Sequence, residues 1–164
     1  MAIQSDVQVQ FISDEVAADD DFIVTAARPD TAATIANSSF ASGGARILNV
    51  TTTGTGDNGK TNTIVGTDVF GDSLTEVITS TGSAEAVSGT KYFKTITSVT
   101  SSAQFAANLK VGSTASAAQS VGNGARVRLK GYSIVSGGSA GIIQFYDGAP
   151  EDGSVLFKAR TIGT

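Results

Sequence analysis

The sequence predicts an all-β fold: an antiparallel β-sandwich or jelly-roll-like barrel, with a C-terminal β-hairpin module. Three observations predict it. Short β-branched runs recur at roughly 8–15-residue spacing along the chain. The residues between them are mostly Gly, Asp, Asn and Ser, which favour turns over helical crossovers. Thr, Ser and Gly, at 20, 19 and 19 of 164 residues, exceed one third of the chain.

The first candidate strand is residues 7–12, where Val7, Val9 and Phe11 face one way and Gln8 and Gln10 the other. Residues 22–25 form a short strand after an acidic cluster, and 31–35 form another. In 46–53, Leu48 and Val50 share one face and Ile47 and Asn49 the opposite one. Residues 61–67 and 73–80 follow, joined by Asp68-Val-Phe-Gly-Asp72. In the second of these, Leu74, Glu76 and Ile78 share a face, with Thr75, Val77 and Thr79 opposite. Residues 92–100 read as one long strand and 109–111 as a short one. Helical periodicity is confined to 102–109 and the Ala-rich 113–120, each shorter than the ~12 residues an isolated helix needs.

The organisation expected is an N-terminal arm plus β-sandwich over 1–114, a linker or long loop over 115–124, and a three-stranded module over 125–164. Its strands are 126–135, 141–146 and 155–161, with turn-rich connections at 136–141 and 147–154. A bulge at Gly131 would bring Val127, Leu129, Tyr132 and Ile134 to one side. An acidic turn and Pro29 set the 7–12 strand apart from the body. That strand is either part of its own sheet or an arm that pairs with another subunit.

Composition excludes several chemistries. The chain has no Cys and no His, so it has no disulfide, thiolate nucleophile, imidazole ligand or Ser–His–Asp triad. The net charge of −4 argues against nucleic-acid binding, which needs clustered Lys and Arg. No apolar stretch approaches the ~18 residues of a membrane span, and the start, MAIQSDVQVQF, lacks the basic and apolar regions of a signal peptide. Charge is uneven: residues 1–27 hold six acids and no base, and 28–164 hold nine acids and eleven bases. That asymmetry suggests contact between the acidic end and the body, within or between chains, or else a solvated acidic loop.

Residues 54–61, GTGDNGKT, satisfy the P-loop pattern letter by letter. The mechanism behind that pattern needs a helix beginning at the Lys, whose free N–H groups hold phosphate. The residues that follow, TNTIVGTDVFG, are β-branched and Gly-broken, so the expectation is a hairpin loop with Asp57-Asn58-Gly59 at left-handed turn positions. Glu76 and Glu85 are the best candidates for a paired-carboxylate site, against the plainer reading of solvated acids. Asp19-Asp20-Asp21, Asp57-Asn58, and Asp147 with Glu151 and Asp152 carry oxygen ligands suited to Ca²⁺, but none has EF-hand spacing. Arg126, Arg128 and Lys130 alternate on one strand face at ~7 Å spacing, which makes them either a solvated stripe or an interface to an acidic surface. The expected inventory contains no catalytic residue, metal or cofactor. The candidate interface is Val7, Val9, Phe11, Arg126, Arg128 and Lys130.

Residues 46–100 contain the run T-x-T-I-x-G-T-D-x-x-G-x-x-L-T-E-x-I-T and then G-T-K-Y-F-K-T-I-T-S-V. This pattern resembles small virion structural proteins of tailed bacteriophages. Residues 126–158, with RLKGYSIVSGGSAGIIQFYDG, resemble a β-hairpin module of such proteins. The resemblance implies a non-enzymatic capsid decoration, or cement, protein on the head exterior. It implies assembly in the host cytoplasm, association with itself as a homotrimer, and contact with the major capsid protein. The alternative it implies is a tail- or fibre-associated structural protein.

Overall fold

The computed structural model describes residues 17–41, 43–120, 141–150 and 153–161. Nine strands lie among them: β1 (Asp19–Ala27), β2 (Ala45–Thr52), β3 (Thr61–Thr67), β4 (Ser73–Thr79), β5 (Val87–Phe93), β6 (Thr95–Ser101), β7 (Leu109–Ala118), β8 (Gly141–Asp147) and β9 (Ser154–Thr161). One sheet has the order β1-β7-β2-β5 and a second the order β4-β3-β6. Every pairing is antiparallel, and the sheets form a sandwich without closing into a barrel.

Alternation explains how the sheets stack. Leu48 and Val50 of β2, Ile23 and Val24 of β1, and Leu109 and Val111 of β7 form a single core with Ile64 of β3, Ile78 of β4, and Ile96 and Val99 of β6. All are buried to within 3% of complete. Facing apolar rows from two sheets leave water together, and that burial is the main force holding the layers in register. Phe93 and Phe105 are completely buried in the same cluster. On β4 the opposite face is solvated: Thr75, Val77 and Thr79 are exposed while Ile78 is buried, as the alternation requires.

Both open sides of the sandwich are laced by hydrogen bonds within the chain. On one side, residues 31–39 run between β1 and β6. Ala36 N–H donates to the Ile23 carbonyl (2.8 Å), and Ala33 N–H donates to that of Val99 (2.9 Å). Ser101 N–H reaches the Thr31 carbonyl and Ile96 N–H that of Ser38. The expected 31–35 strand is thus replaced by an irregular strap with isolated bridges, Ala32 to Thr100 and Ser39 to Thr95. On the other side, β4 and β5 are joined through the Glu76 carboxylate. Unpaired strand edges invite association, and here side chain and strap occupy them.

Several boundaries differ from expectation. The 92–100 strand is two strands: Lys94 breaks it, β5 begins earlier at Val87, and β6 belongs to the other sheet. The crossover is held by Lys94 N–H donating to the Thr67 carbonyl (2.8 Å). Asp19, Asp20 and Asp21 open β1, a strand of the main sheet that ends before Pro29. These three are therefore strand and not turn, while Asp14 and Glu15 of the acidic cluster lie outside the described residues. Residues 113–118 are strand, not helical turn, because β2 pairs with them through Ala45 to Ala118 and Arg46 to Ala117. Residues 115–118 of the expected linker belong to β7 for the same reason. Residues 102–108 form no helix, and Phe105 inserts into the core. The strands expected at 7–12 and 126–135 lie outside the described residues. β8 and β9 form a separate two-stranded antiparallel sheet, as expected for 141–146 and 155–161.

Candidate functional site

The 54–61 loop carries the densest polar constellation among the described residues. A short 3₁₀ turn, Thr55–Asp57, follows β2, and a type II turn, residues 57–60, leads into β3. Asn58 has φ −60° and ψ 129°, and Gly59 has φ +79°. Type II geometry requires that positive φ at its third residue, and Gly meets it without a Cβ clash. Lys60 N–H closes the turn on the Asp57 carbonyl (3.2 Å), and Gly59 N–H donates to the Ser80 carbonyl (2.9 Å). The loop joins strands of different sheets, so it is not the hairpin expected from sequence, and only Gly59 of the three turn residues takes a positive φ.

Asp57 lies at the centre of this loop and is completely buried. Its Oδ1 accepts from Lys60 Nζ (2.8 Å) and from Ala106 N–H (2.5 Å). Its Oδ2 accepts from Thr52 Oγ1 (2.8 Å) and Ala107 N–H (3.0 Å). Burial by itself would raise the carboxyl pKa. The Lys60 ammonium, the two backbone N–H groups and the Thr52 hydroxyl outweigh it and hold the pKa far below the ordinary carboxylate range. Lys60 also donates to the Gln104 carbonyl and lies over the Phe105 ring, 5.3 Å from its centroid. A single buried carboxylate therefore joins the end of β2, the inter-sheet loop and residues 106–107.

This arrangement decides how the P-loop pattern reads in three dimensions. β3 starts at Thr61, where the phosphate-cradling mechanism needs a helix. The Lys60 ammonium is directed into the protein, toward Asp57 and Gln104. Of the two proposed catalytic carboxylates, Glu85 is exposed in the 80–86 connection. Glu76 instead binds backbone: its Oε1 accepts from Thr90 N–H (2.7 Å) and Thr90 Oγ1 (3.1 Å), and its Oε2 from Lys91 N–H (3.4 Å). In return Lys91 Nζ donates to the Thr75 carbonyl (3.0 Å).

The acidic cluster makes contacts within its own chain. Asp20 Oδ1 accepts from Asn49 Nδ2 (2.8 Å), and Asp21 Oδ2 lies 3.8 Å from Lys110 Nζ. A shallow cleft nearby is lined by Asp20, Thr51, Thr53, Asn108 and Lys110. Asp68 shapes the β3–β4 turn, its Oδ1 accepting from Phe70 and Asp72 N–H at 2.8 Å each. Among the described residues no group of three or more Asp or Glu side chains is placed to hold a metal ion. Glu151 and Asp152 lie outside the described residues, as do all six candidate interface residues, Val7, Val9, Phe11, Arg126, Arg128 and Lys130.

Sequence reasoning missed the partners of Asp57. The three-residue spacing to Lys60 is the one signal that could have pointed to the ion pair, whereas the donors at 106 and 107 are backbone groups of alanines and leave no side-chain signal. Comparison of the chain with protein-family models, curated proteins and solved structures finds no match.

Proposed function

We propose that this chain is a virion structural protein of a tailed bacteriophage, acting as a capsid decoration protein that binds the outer head surface and braces neighbouring capsid subunits. The observation that carries this reading is the cross-bracing of the sandwich. The 31–39 strap, the Glu76 bridge and the buried Asp57 each tie separate strands together through hydrogen bonds within the chain. A brace must resist deformation, and buried polar groups that are fully hydrogen-bonded rigidify a fold. The sequence resemblance of residues 46–100 supplies the phage context, and this reading has no reaction or cofactor in it. Further copies of the chain and the major capsid protein are its partners.

The test is thermal. Undecorated capsids of the phage that encodes the chain are heated with and without saturating protein. A ligand that binds the assembled shell raises its melting temperature by mass action, so the expected result is an upward shift that saturates with added protein. An unchanged melting temperature overturns the proposal. Binding to host cells with no effect on capsids would place the chain on the tail.

A further inference from the structure

Asn58 is exposed and is followed by Gly59. Asparagine is a thermolabile residue, and a following glycine leaves the next amide nitrogen unhindered for attack on the side chain. In that reaction the Gly59 amide nitrogen gives up its proton and bonds to Asn58 Cγ. The Cγ–Nδ2 bond breaks and ammonia leaves, taking up the proton. Water then opens the five-membered succinimide at either carbonyl, giving aspartate or isoaspartate. One water is consumed and one ammonia released, with no oxidant or reductant.

We infer that Asn58 is a latent deamidation site that the type II turn holds inactive, so that conversion there records opening of the 54–61 loop. Ring closure needs Cβ, Cα, C and the Gly59 nitrogen nearly coplanar with the nitrogen on the Cβ side. The ψ of 129° at Asn58 puts that nitrogen well away from this arrangement. Rotating ψ would pull Gly59 N–H from the Ser80 carbonyl and disturb the Lys60 N–H bond to the Asp57 carbonyl. Ser80 N–H donates to the Lys60 carbonyl at 2.9 Å, so the turn is held from both sides. Asp57, buried beneath the turn and tied to Thr52, Ala106 and Ala107, fixes its base.

Conversion would be one-way. Aspartate at 58 adds a second negative charge beside Asp57. Isoaspartate adds a methylene to the backbone between Asn58 Cα and the Gly59 nitrogen, which displaces Gly59 from Ser80. Either product hinders reclosure, so the covalent change outlasts the opening that allowed it.

The experiment is peptide mass spectrometry on the full chain held in mildly alkaline buffer, folded or in concentrated urea. Asn123–Gly124, the other Asn-Gly pair in the sequence, serves as a chemical reference in urea. The expected result is like rates for both pairs in urea, and a rate at Asn58 in the folded chain lower by roughly tenfold or more, the local opening equilibrium. Lys60→Met, which removes one support of Asp57, should raise the folded-state rate at Asn58. Thr52→Val provides the same reading should Lys60→Met fail to fold. Equal rates at Asn58 in folded and urea-treated chain would overturn the inference. So would an unchanged rate in a folded variant whose 54–61 amides exchange hydrogen faster.

Discussion

The Glu76 carboxylate of β4 occupies the space that a side chain on Gly89 of β5 would fill: a Cβ at Gly89 would lie 2.3 Å from Glu76 Oε2 and 2.7 Å from Cδ. Glycine at 89 therefore lets a carboxylate from one sheet reach the backbone N–H groups of Thr90 and Lys91 in the other. Gly89→Ala is expected to cost about 1 kcal/mol, because the group it displaces is the far end of a flexible side chain that can swing into solvent, and what is lost is the carboxylate's hydrogen bonds to β5. Glu76→Ala should cost about 1 kcal/mol, because water replaces the carboxylate at an edge that is partly exposed. The two changes share one contact, so their effects are non-additive: Gly89→Ala should cost much less in the Glu76→Ala background. Urea denaturation of the two single variants and the double variant measures this coupling, and additive costs would refute the steric account.

Asp57 should govern acid stability. Its pKa in the folded chain is held well below the ordinary carboxylate value. The unfolded chain therefore takes up the proton first as pH falls. The stabilisation is fully present above the unfolded value and is lost progressively as pH drops through it toward the folded value. Denaturation midpoints between pH 7 and pH 2 should fall steeply below about pH 4. Asp57→Asn should flatten that part of the profile while lowering stability at neutral pH by about 3 kcal/mol, as expected when one member of a buried ion pair is removed. A variant profile as steep as the parent's would assign acid sensitivity to other carboxylates.

Much of the fold was legible because alternation is a direct consequence of strand geometry. Ile64 and Ile78 face the core, and Thr63 and Val77 lie on the opposite face, because period-two patterning leaves no other arrangement for 61–67 and 73–80. The break at Lys94 was not legible: Tyr92, Phe93, Thr95 and Ile96 are all good strand residues, and the change of sheet arises from tertiary pairing to Thr67. The Ala-rich 113–118 segment reads as helix by propensity, but pairing with β2 overrides it. The Asp57 site was half visible. Lys60 stands three residues along, but the donors at 106 and 107 lie some fifty residues away and have no distinctive side chain.

The structural role of Lys60 separates this loop from a phosphate site experimentally. Titration with ATP or GTP and Mg²⁺ should give no saturable micromolar binding. Lys60→Ala should instead lower the unfolding midpoint, because it leaves the Asp57 carboxylate buried without its counter-charge. Saturable nucleotide binding that Lys60→Ala abolishes without a change in thermal stability would reverse that assignment.

Asn62 is another polar group buried within the sandwich. It is completely buried on the inward face of β3, where the neighbouring inward residue is Ile64. Its Nδ2 donates to Ser80 Oγ (3.2 Å), and its Oδ1 accepts from Ser101 Oγ (3.0 Å). The amide thus joins the segment just after β4 to the end of β6 across β3. Asn62→Leu keeps the branching at Cγ in a larger side chain, but leaves two buried hydroxyls without this partner, at roughly 1–3 kcal/mol for each buried group left unsatisfied. Adding Ser80→Ala and Ser101→Ala to Asn62→Leu should recover part of the loss, since an apolar cluster of similar shape has no stranded donors. The check is the urea midpoint at constant m-value. If the triple variant is no more stable than Asn62→Leu alone, the loss comes from packing and not from orphaned hydrogen bonds.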